Sequence, residues 1–400
     1  MPLLVTDKWP KLAGKSGQLG LRFFYLLGAI AAFLGGAALL RDTAYQGQDF
    51  EVCWKTAHHL LSGEPVYDLI RDGAMSFKYP PWIVPAFLPL GLLPLVVAKW
   101  IWGGIELLSL GYVIKWLLAR DYTPWVVAAT TLCFWGIWAV HFMDGQITLP
   151  VLALGLWSFQ SRSLLVAAWT LSAKVFSEFS LFGFPGLRKS LNLKKAVLTV
   201  GVLLALSVPT VFVAPGHSVT SMIRSWSQTA SSGGLLFDGE KVRGRDNQGM
   251  PALILRAIGI KAVNTKADLF FSLLCALVLG AYWHFRSRNL SEDDRSIGWF
   301  ALTAVIHPLA WFHFFVFAFP LAVVCLDGVI KTKDRRMVIT GIIALAMVCL
   351  MTRKTLGYAG ERLEFYSIKT WGVLLFLDLI VMLRRSEKFK FSGLKLVSAN

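Results

Sequence analysis

Blocks of about twenty consecutive apolar residues, separated by short polar or basic runs, set the terms on which this chain can fold. GLRFFYLLGAIAAFLGGAALL from Gly20 and KAVLTVGVLLALSVPTVFVA from Lys195 are two of them. As helix, ~20 residues cover the ~30 Å of a bilayer's hydrocarbon, whereas a barrel strand needs about half that number. Backbone polar groups in lipid must pair within their own segment or in a closed barrel, so blocks of this length select helices. Hydrophobic residues make up 56% of the 400 positions and charged residues 16%, against roughly 45–50% and about 25% in soluble domains. The expected fold is all-α: one polytopic membrane domain over residues 1–400, with about ten to twelve membrane helices, some broken or re-entrant.

The net charge of +16 does not describe a nucleic-acid binder, because the basic residues punctuate the apolar blocks and form no continuous face. Lys8, Lys11, Lys15 and Arg22 precede the first span. Arg188, Lys189, Lys194 and Lys195 form a second cluster, Arg286, Arg288 and Arg295 a third, Lys331, Lys333, Arg335 and Arg336 a fourth, and Arg384, Arg385, Lys388 and Lys390 the last. By the positive-inside rule these clusters mark the cytoplasmic side of a plasma membrane and place both termini there. The first apolar stretch is longer than a signal-peptide core of ~7–15 residues, so it reads as an uncleaved anchor. Of five cysteines, only Cys53 falls in a polar loop, and no disulfide framework or metal pattern follows.

Two polar stretches are then expected on the outer face, 41–81 and 215–266. Outer loops of that length with amphipathic pattern are more often functional than idle. In the first, Phe50, Cys53, Trp54, Ala57, Leu60 and Leu61 recur at helical spacing and predict a helix along the membrane surface. Asp49 stands at its start, where it can cap orphan amides, act as a catalytic carboxylate, or both; Glu51, Asp68 and Asp72 share the loop. Lys78-Tyr79-Pro80-Pro81-Trp82 closes it and brings aromatics to the headgroup level. The apolar run from Pro81 to Leu93 is too short to cross and is expected to enter and leave one face, ahead of a full span from Lys99 to Leu118.

In the second loop, Lys241, Arg243, Arg245 and Arg256 surround Asp246-Asn247-Gln248-Gly249. Cations gathered on the outer side suit phosphates, which arginine grips bidentately, or else anionic headgroups. Ionisable groups at membrane depth usually line a cavity, and Lys174, Glu178, His307 and His313 are such groups. Lys174 and Glu178, four residues apart, can also simply pair, and the segment 163–187 reads as a hairpin with both near its turn. His307 and His313 flank Pro308 and Trp311 at an expected helix break. The sequence holds no P-loop, Rossmann glycine pattern or zinc spacing, so an activated donor is expected from the membrane itself, with no cofactor or metal.

Taken in order, the Asp-Phe start followed by LLSGEPVYD, FKYPPW with FLPLGLLP, Gly145-Gln146, Asp246-Asn247-Gln248 with Arg256, and HPLAWFH resemble glycosyltransferase family 87, a group of C-type membrane glycosyltransferases, across roughly residues 49–320. The resemblance implies hexosyl (mannose-like) transfer from a polyprenyl-phosphate sugar to a lipid or glycan acceptor on the outer face, with inversion. It assigns the general base to Asp49 and places His313, Asn247 and Gln248 in the site, His313 in a supporting role; Lys174, Arg243, Arg245 and Arg256, the cations least explained by topology, are expected to bind the donor's phosphate, and Tyr79 and Gln146 are further candidates for donor or substrate binding. This chain departs from the family pattern at Lys174-Val175, where the family has Lys-Pro, at His307, where it has serine, and at Phe314, where it has a second histidine. A phosphate leaving group needs no protonation, so one carboxylate base suffices where glycosidases use two. A lipid or anionic-solute transporter and a non-catalytic envelope assembly protein are the rival classes. The absence of evident repeats counts against the transporter.

Overall fold

Apolar blocks of this length leave little but helix. Every regular element among the residues that the computed structural model describes, 33–174, 192–232, 244–260 and 265–386, is helical. A helix over 33–45 (α1) leads into Gln48–Leu61 (α2). Next come Leu95–Leu118 (α3), Pro124–Cys133 (α4), Trp135–Asp144 (α5), Thr148–Gln160 (α6) and Leu164–Leu171 (α7). Leu193–Phe212 (α8), Val219–Ser232 (α9), Met250–Ala257 (α10), Thr265–Arg286 (α11) and Glu292–Ile306 (α12) follow, then Phe319–Thr332 (α13), Arg335–Cys349 (α14), Tyr358–Phe365 (α15) and Ile368–Arg385 (α16).

Four helices among the described residues, Leu95–Leu118, Leu193–Phe212, Lys266–Arg286 and Phe312–Thr332, are long and apolar enough to cross a membrane. Counting the bent pairs α4–α5 (60°) and α15–α16 (65°) as one span each raises the number to six. The larger number expected from sequence also takes in pieces too short to cross, and Pro81–Gly91 and Thr148–Gln160 are apolar helices of that kind. The basic cluster before the first span, most of that span itself, Glu178 and Arg188, and the second limb of the 163–187 hairpin lie outside the described residues.

The centre of the bundle is α12 and the 3-10 segment Phe312–Ala318 running into α13, both almost entirely buried. Their separation at 307–311 follows from Pro308, which cannot continue a helix and restricts the residue before it, so His307 is extended at the end of α12. At the periphery α8 exposes Val197, Leu198, Val200 and Leu204. A helix apolar all round and uncovered on most sides requires lipid as its solvent.

The site is positioned by a two-residue link between α1 and α2. Gly47 ends it with φ +46, and a Cβ there would lie 2.6 Å from the Thr43 carbonyl oxygen. Gly145 at the end of α5 has φ +66, and a Cβ on it would meet Phe50 Cβ at 2.9 Å and Gly47 Cα at 3.1 Å. Both positions need glycine for left-handed backbone and for this close approach. The Gly47 amide donates to the Met143 carbonyl at 2.9 Å, which joins the start of α2 to the end of α5. The expected amphipathic face forms: Phe50, Cys53, Ala57 and Leu60 are buried, Trp54 is half-buried and Leu61 is exposed. Two readings change. Cys53, assigned to a polar loop, is packed in that buried face. Asp49 is not the cap of α2: Gly47 occupies that place without a side-chain hydrogen bond, and Asp49 falls two residues into the helix.

Candidate active site

Asp49, on the first turn of α2, lies within charge range of Asp144 at the end of α5 and of Lys174 and Lys78. Protein surrounds it on most sides, yet it keeps partial contact with solvent. Burial raises its pKa to about 6, and the neighbouring Asp144 carboxylate adds to the rise, while Lys174 and Lys78 draw it back. Lys174 is 7% exposed. Its Nζ donates to Gln146 Oε1 at 3.0 Å and lies 4.4 Å from the centroid of the Phe314 ring and 6.0 Å from that of Tyr79. His313, also buried, places Nδ1 3.4 Å from Asp144 Oδ2. Burial lowers the Lys78 pKa and Asp49 partly restores it. The Tyr79 phenol is held protonated well above its ordinary value by burial, with Cys53 and Asp49 contributing. Two carboxylates facing a buried lysine, with an amide, a phenol and an imidazole around them, form a site that can hold an anion and accept a proton.

The other carboxylates of the first loop have local roles. Glu51 takes Lys55 at 2.9 Å and Lys99 at 3.0 Å; burial pushes its pKa up, but these two lysines outweigh it and leave it below the ordinary value. Asp68 caps the short helix Leu69–Asp72 through the amides of Ile70 and Arg71. Asp72 pairs with Arg71 at 2.7 Å.

The second-loop residues gather elsewhere, in a knot of backbone contacts. Asn247 Nδ2 donates to the Pro308 carbonyl at 2.6 Å, and its Oδ1 accepts from the amides of Gly249 and Ala310 at 3.1 Å each. Gln248 donates its amide to the Ala310 carbonyl and its side chain to the Glu364 carbonyl, and it accepts from the Lys369 amide. Arg256 donates to the carbonyls of Gly244 (2.9 Å) and Asn247 (3.0 Å) and to Ser367 Oγ (2.6 Å). Arg245 pairs with Glu361. These contacts tie the loop to the 307–311 break and to the bend between α15 and α16. His307 faces Phe314 (4.2 Å between ring centroids) and accepts the Leu309 amide, so the knot meets the Asp49 cluster through that break. Arg243 lies outside the described residues.

Asp144 and Lys78 were not singled out by sequence reasoning. Asp144 had a visible signal, a carboxylate ending an apolar block directly before Gly145-Gln146; Lys78 had none beyond its place beside Tyr79. Two cavities are lined by residues bonded to, or next in the chain to, members of the cluster. One, of about 180 Å³, is lined mainly by apolar side chains including Phe87, Trp102, Ile147, Trp169 and Ala173, Ile147 following Gln146 and Ala173 preceding Lys174 in the chain. The other, of about 350 Å³, lies between Tyr67 and Leu69 of the first loop and Ser225, Gln228, Thr229 and Ser231 of α9. Its wall is fixed by the Tyr67 hydroxyl donating to the Tyr79 carbonyl (2.9 Å) and the Trp226 indole donating to the Lys78 carbonyl (3.1 Å). No group of three or more potential metal-ligating side chains occurs among the described residues.

The chain is a helical membrane protein in which polar groups from distant segments converge. The model of glycosyltransferase family 87 matches residues 77–308, more than half of the chain, and the chain belongs to that family. It is a membrane glycosyltransferase. The matched range contains Tyr79, Asp144, Gln146, Lys174 and the second-loop knot; it begins after Asp49 and ends before His313. No curated protein and no solved structure matches the chain.

Proposed function

We propose that the enzyme transfers a hexose, mannose-like, from a polyprenyl-phosphate sugar to a lipid or glycan hydroxyl on the outer face of the plasma membrane, with inversion and with Asp49 as general base. The observation that carries this reading is the state of Asp49: a partly accessible carboxylate with a pKa of about 6 facing a buried lysine. A base of that strength is poised for work near neutral pH. Asp49 takes the acceptor's hydroxyl proton as that oxygen attacks the anomeric carbon. The bond from that carbon to the phosphate oxygen breaks, and polyprenyl phosphate leaves with both bonding electrons.

Lys174, with Lys78 beside it, stabilises the charge that grows on the phosphate. Gln146 and Tyr79 orient Lys174 and the sugar, and His313 supports the site through Asp144. The apolar cavity beside Ala173 suits part of a lipid chain, and the neutral, hydroxyl-lined cavity beside Tyr67 suits a sugar of the acceptor. Arg243 and Arg245 supply cations at the rim, while Asn247, Gln248 and Arg256 act on the substrates through the loop they build. Like the positive-inside pattern, this reading puts both termini in the cytoplasm.

The test is a transfer assay with purified protein in lipid, a labelled polyprenyl-phosphate hexose, and alkyl glycosides as acceptors. A new glycosidic bond with inverted anomeric configuration by NMR is expected. Transfer from a nucleotide sugar only, retention of configuration, or movement of intact donor across vesicles without bond formation refutes the proposal.

A further inference from the structure

Glu106 and His141 are wholly buried and have no part in the chemistry above. An ionisable pair of this kind is expensive, since replacement by apolar side chains of similar volume is often stabilising. His141 Nε2 lies 3.2 Å from Glu106 Oε1, and those atoms and His141 Nδ1 find no hydrogen-bond partner of good geometry. The fold keeps the pair beneath one particular turn.

Trp102 and Glu106 are one helical turn apart on α3. The Trp102 indole donates to the Gly145 carbonyl at 3.0 Å, and the Gln146 backbone amide lies close enough to the Glu106 carboxylate to stabilise its charge. Thr43, at the end of α1, donates its hydroxyl to Glu106 Oε2 at 3.0 Å and lies 2.8 Å from the Phe142 carbonyl oxygen, within reach of the same proton. The His141 carbonyl accepts the Gln146 amide, at 3.2 Å. Each of these contacts fixes the segment 141–146. That segment delivers Asp144 to Asp49 and His313, and Gln146 to Lys174. Asp144 and Glu106 also feel one another's charge, as do His141, His313 and Lys174.

We propose that Glu106, with His141 and Thr43, is a positioning residue of the transfer reaction: from below the site it fixes the turn 141–146, and so the placement of Asp144 and Gln146. The proposal rests on the assignment of the reaction to the Asp49 cluster, but its test does not rest on Asp49 itself. Glu106→Met removes the acceptor oxygens at similar volume. Turnover is expected to fall on the order of 10²-fold, the scale of a ~1 Å misplacement. Glu106→Gln still offers an oxygen to the Thr43 hydroxyl and is expected to recover most of the loss.

The decisive reading is a double-mutant cycle with Asp144→Asn. If Glu106 acts through the turn, the double variant loses clearly less than the product of the two single losses, the remainder running through Gln146; losses that multiply mean independent effects and overturn the proposal. Parental turnover in folded Glu106→Met overturns it as well. Should Glu106→Met fail to fold, Thr43→Val, which is nearly isosteric, replaces it in the same cycle with the same two outcomes. An active Asp49→Asn enzyme would refute the assignment of the base and leave the cycle readable.

Discussion

The Asp49 cluster and the Asn247–Arg256 knot are built from the same kinds of residue, lie under neighbouring loops and meet at the 307–311 break, yet their polar groups are used in opposite ways. In the knot, side-chain donors and acceptors are matched to backbone at 2.6–3.1 Å. In the cluster, Asp49 and Asp144 are like charges brought together, and Asp49 is held at a pKa of about 6. Matched polar groups stabilise a loop; mismatched ones store free energy that a substrate can release.

The largest effect expected from breaking that contrast is at Asp49. Asp49→Asn keeps the size and removes the basicity, and kcat should fall by ~10²-fold or more. The same variant should melt at a higher temperature than the parent, because a carboxylate with a raised pKa is a burden on the fold when ionised. Near-parental turnover moves the base elsewhere; an unchanged melting temperature removes the strain argument.

Lys174→Met comes next. Losing a charge-assisted contact to phosphate costs ~1.5–3 kcal/mol, which corresponds to a donor KM roughly 10- to 150-fold higher. An unchanged donor KM would reassign Lys174 to holding Gln146.

The pH profile separates activity from stability at a single group. Folded Asp49 loses its proton near pH 6 and an ordinary aspartate near 3.8. Activity is therefore present above about 6, and kcat/KM falls about tenfold per unit below it. The Asp49 contribution to stability runs the other way, growing as pH falls from about 6 toward 4, since the folded state binds the proton more tightly than the unfolded. A kcat/KM flat down to pH 5 would contradict the assignment.

Arg256→Ala should show the smallest effect on chemistry and a clear one on the fold. It removes the guanidinium contacts to the Gly244 and Asn247 carbonyls and to Ser367, and a stability loss of about 1.5–3 kcal/mol is expected by thermal or denaturant unfolding. A raised donor KM with unchanged stability would instead make Arg256 a direct ligand of the donor and erase the contrast between the two regions.

Much of this was legible in the sequence where one physical rule dominates. The length of the apolar blocks dictates helices, the spacing of Phe50, Cys53, Ala57 and Leu60 dictates the buried face of α2, and Pro308 dictates the break. Convergence of distant segments was not legible. Asp49, Asp144 and Lys174 meet because Gly47 and Gly145 let two backbones touch, and a glycine's positive φ leaves no mark in hydropathy. The cap reading of Asp49 failed for the same reason: Gly47 turns the chain by itself, so no side chain is needed at that end of α2. Sequence suggested a phosphate ligand at Arg256 and could not show its contacts to the Gly244 and Asn247 carbonyls, because a loop arginine and a carbonyl-bound arginine are identical in sequence.

The link Gln46-Gly47 has one more consequence. With two residues between α1 and α2, and Gly47 tied to Met143, Asp49 has almost no slack relative to the helix that precedes it. On the proposed function, the carboxylate would then act as a fixed gauge of height above the bundle to which a reacting hydroxyl must be brought, and acceptors would be selected by how far each headgroup stands off the bilayer as much as by the identity of its sugar.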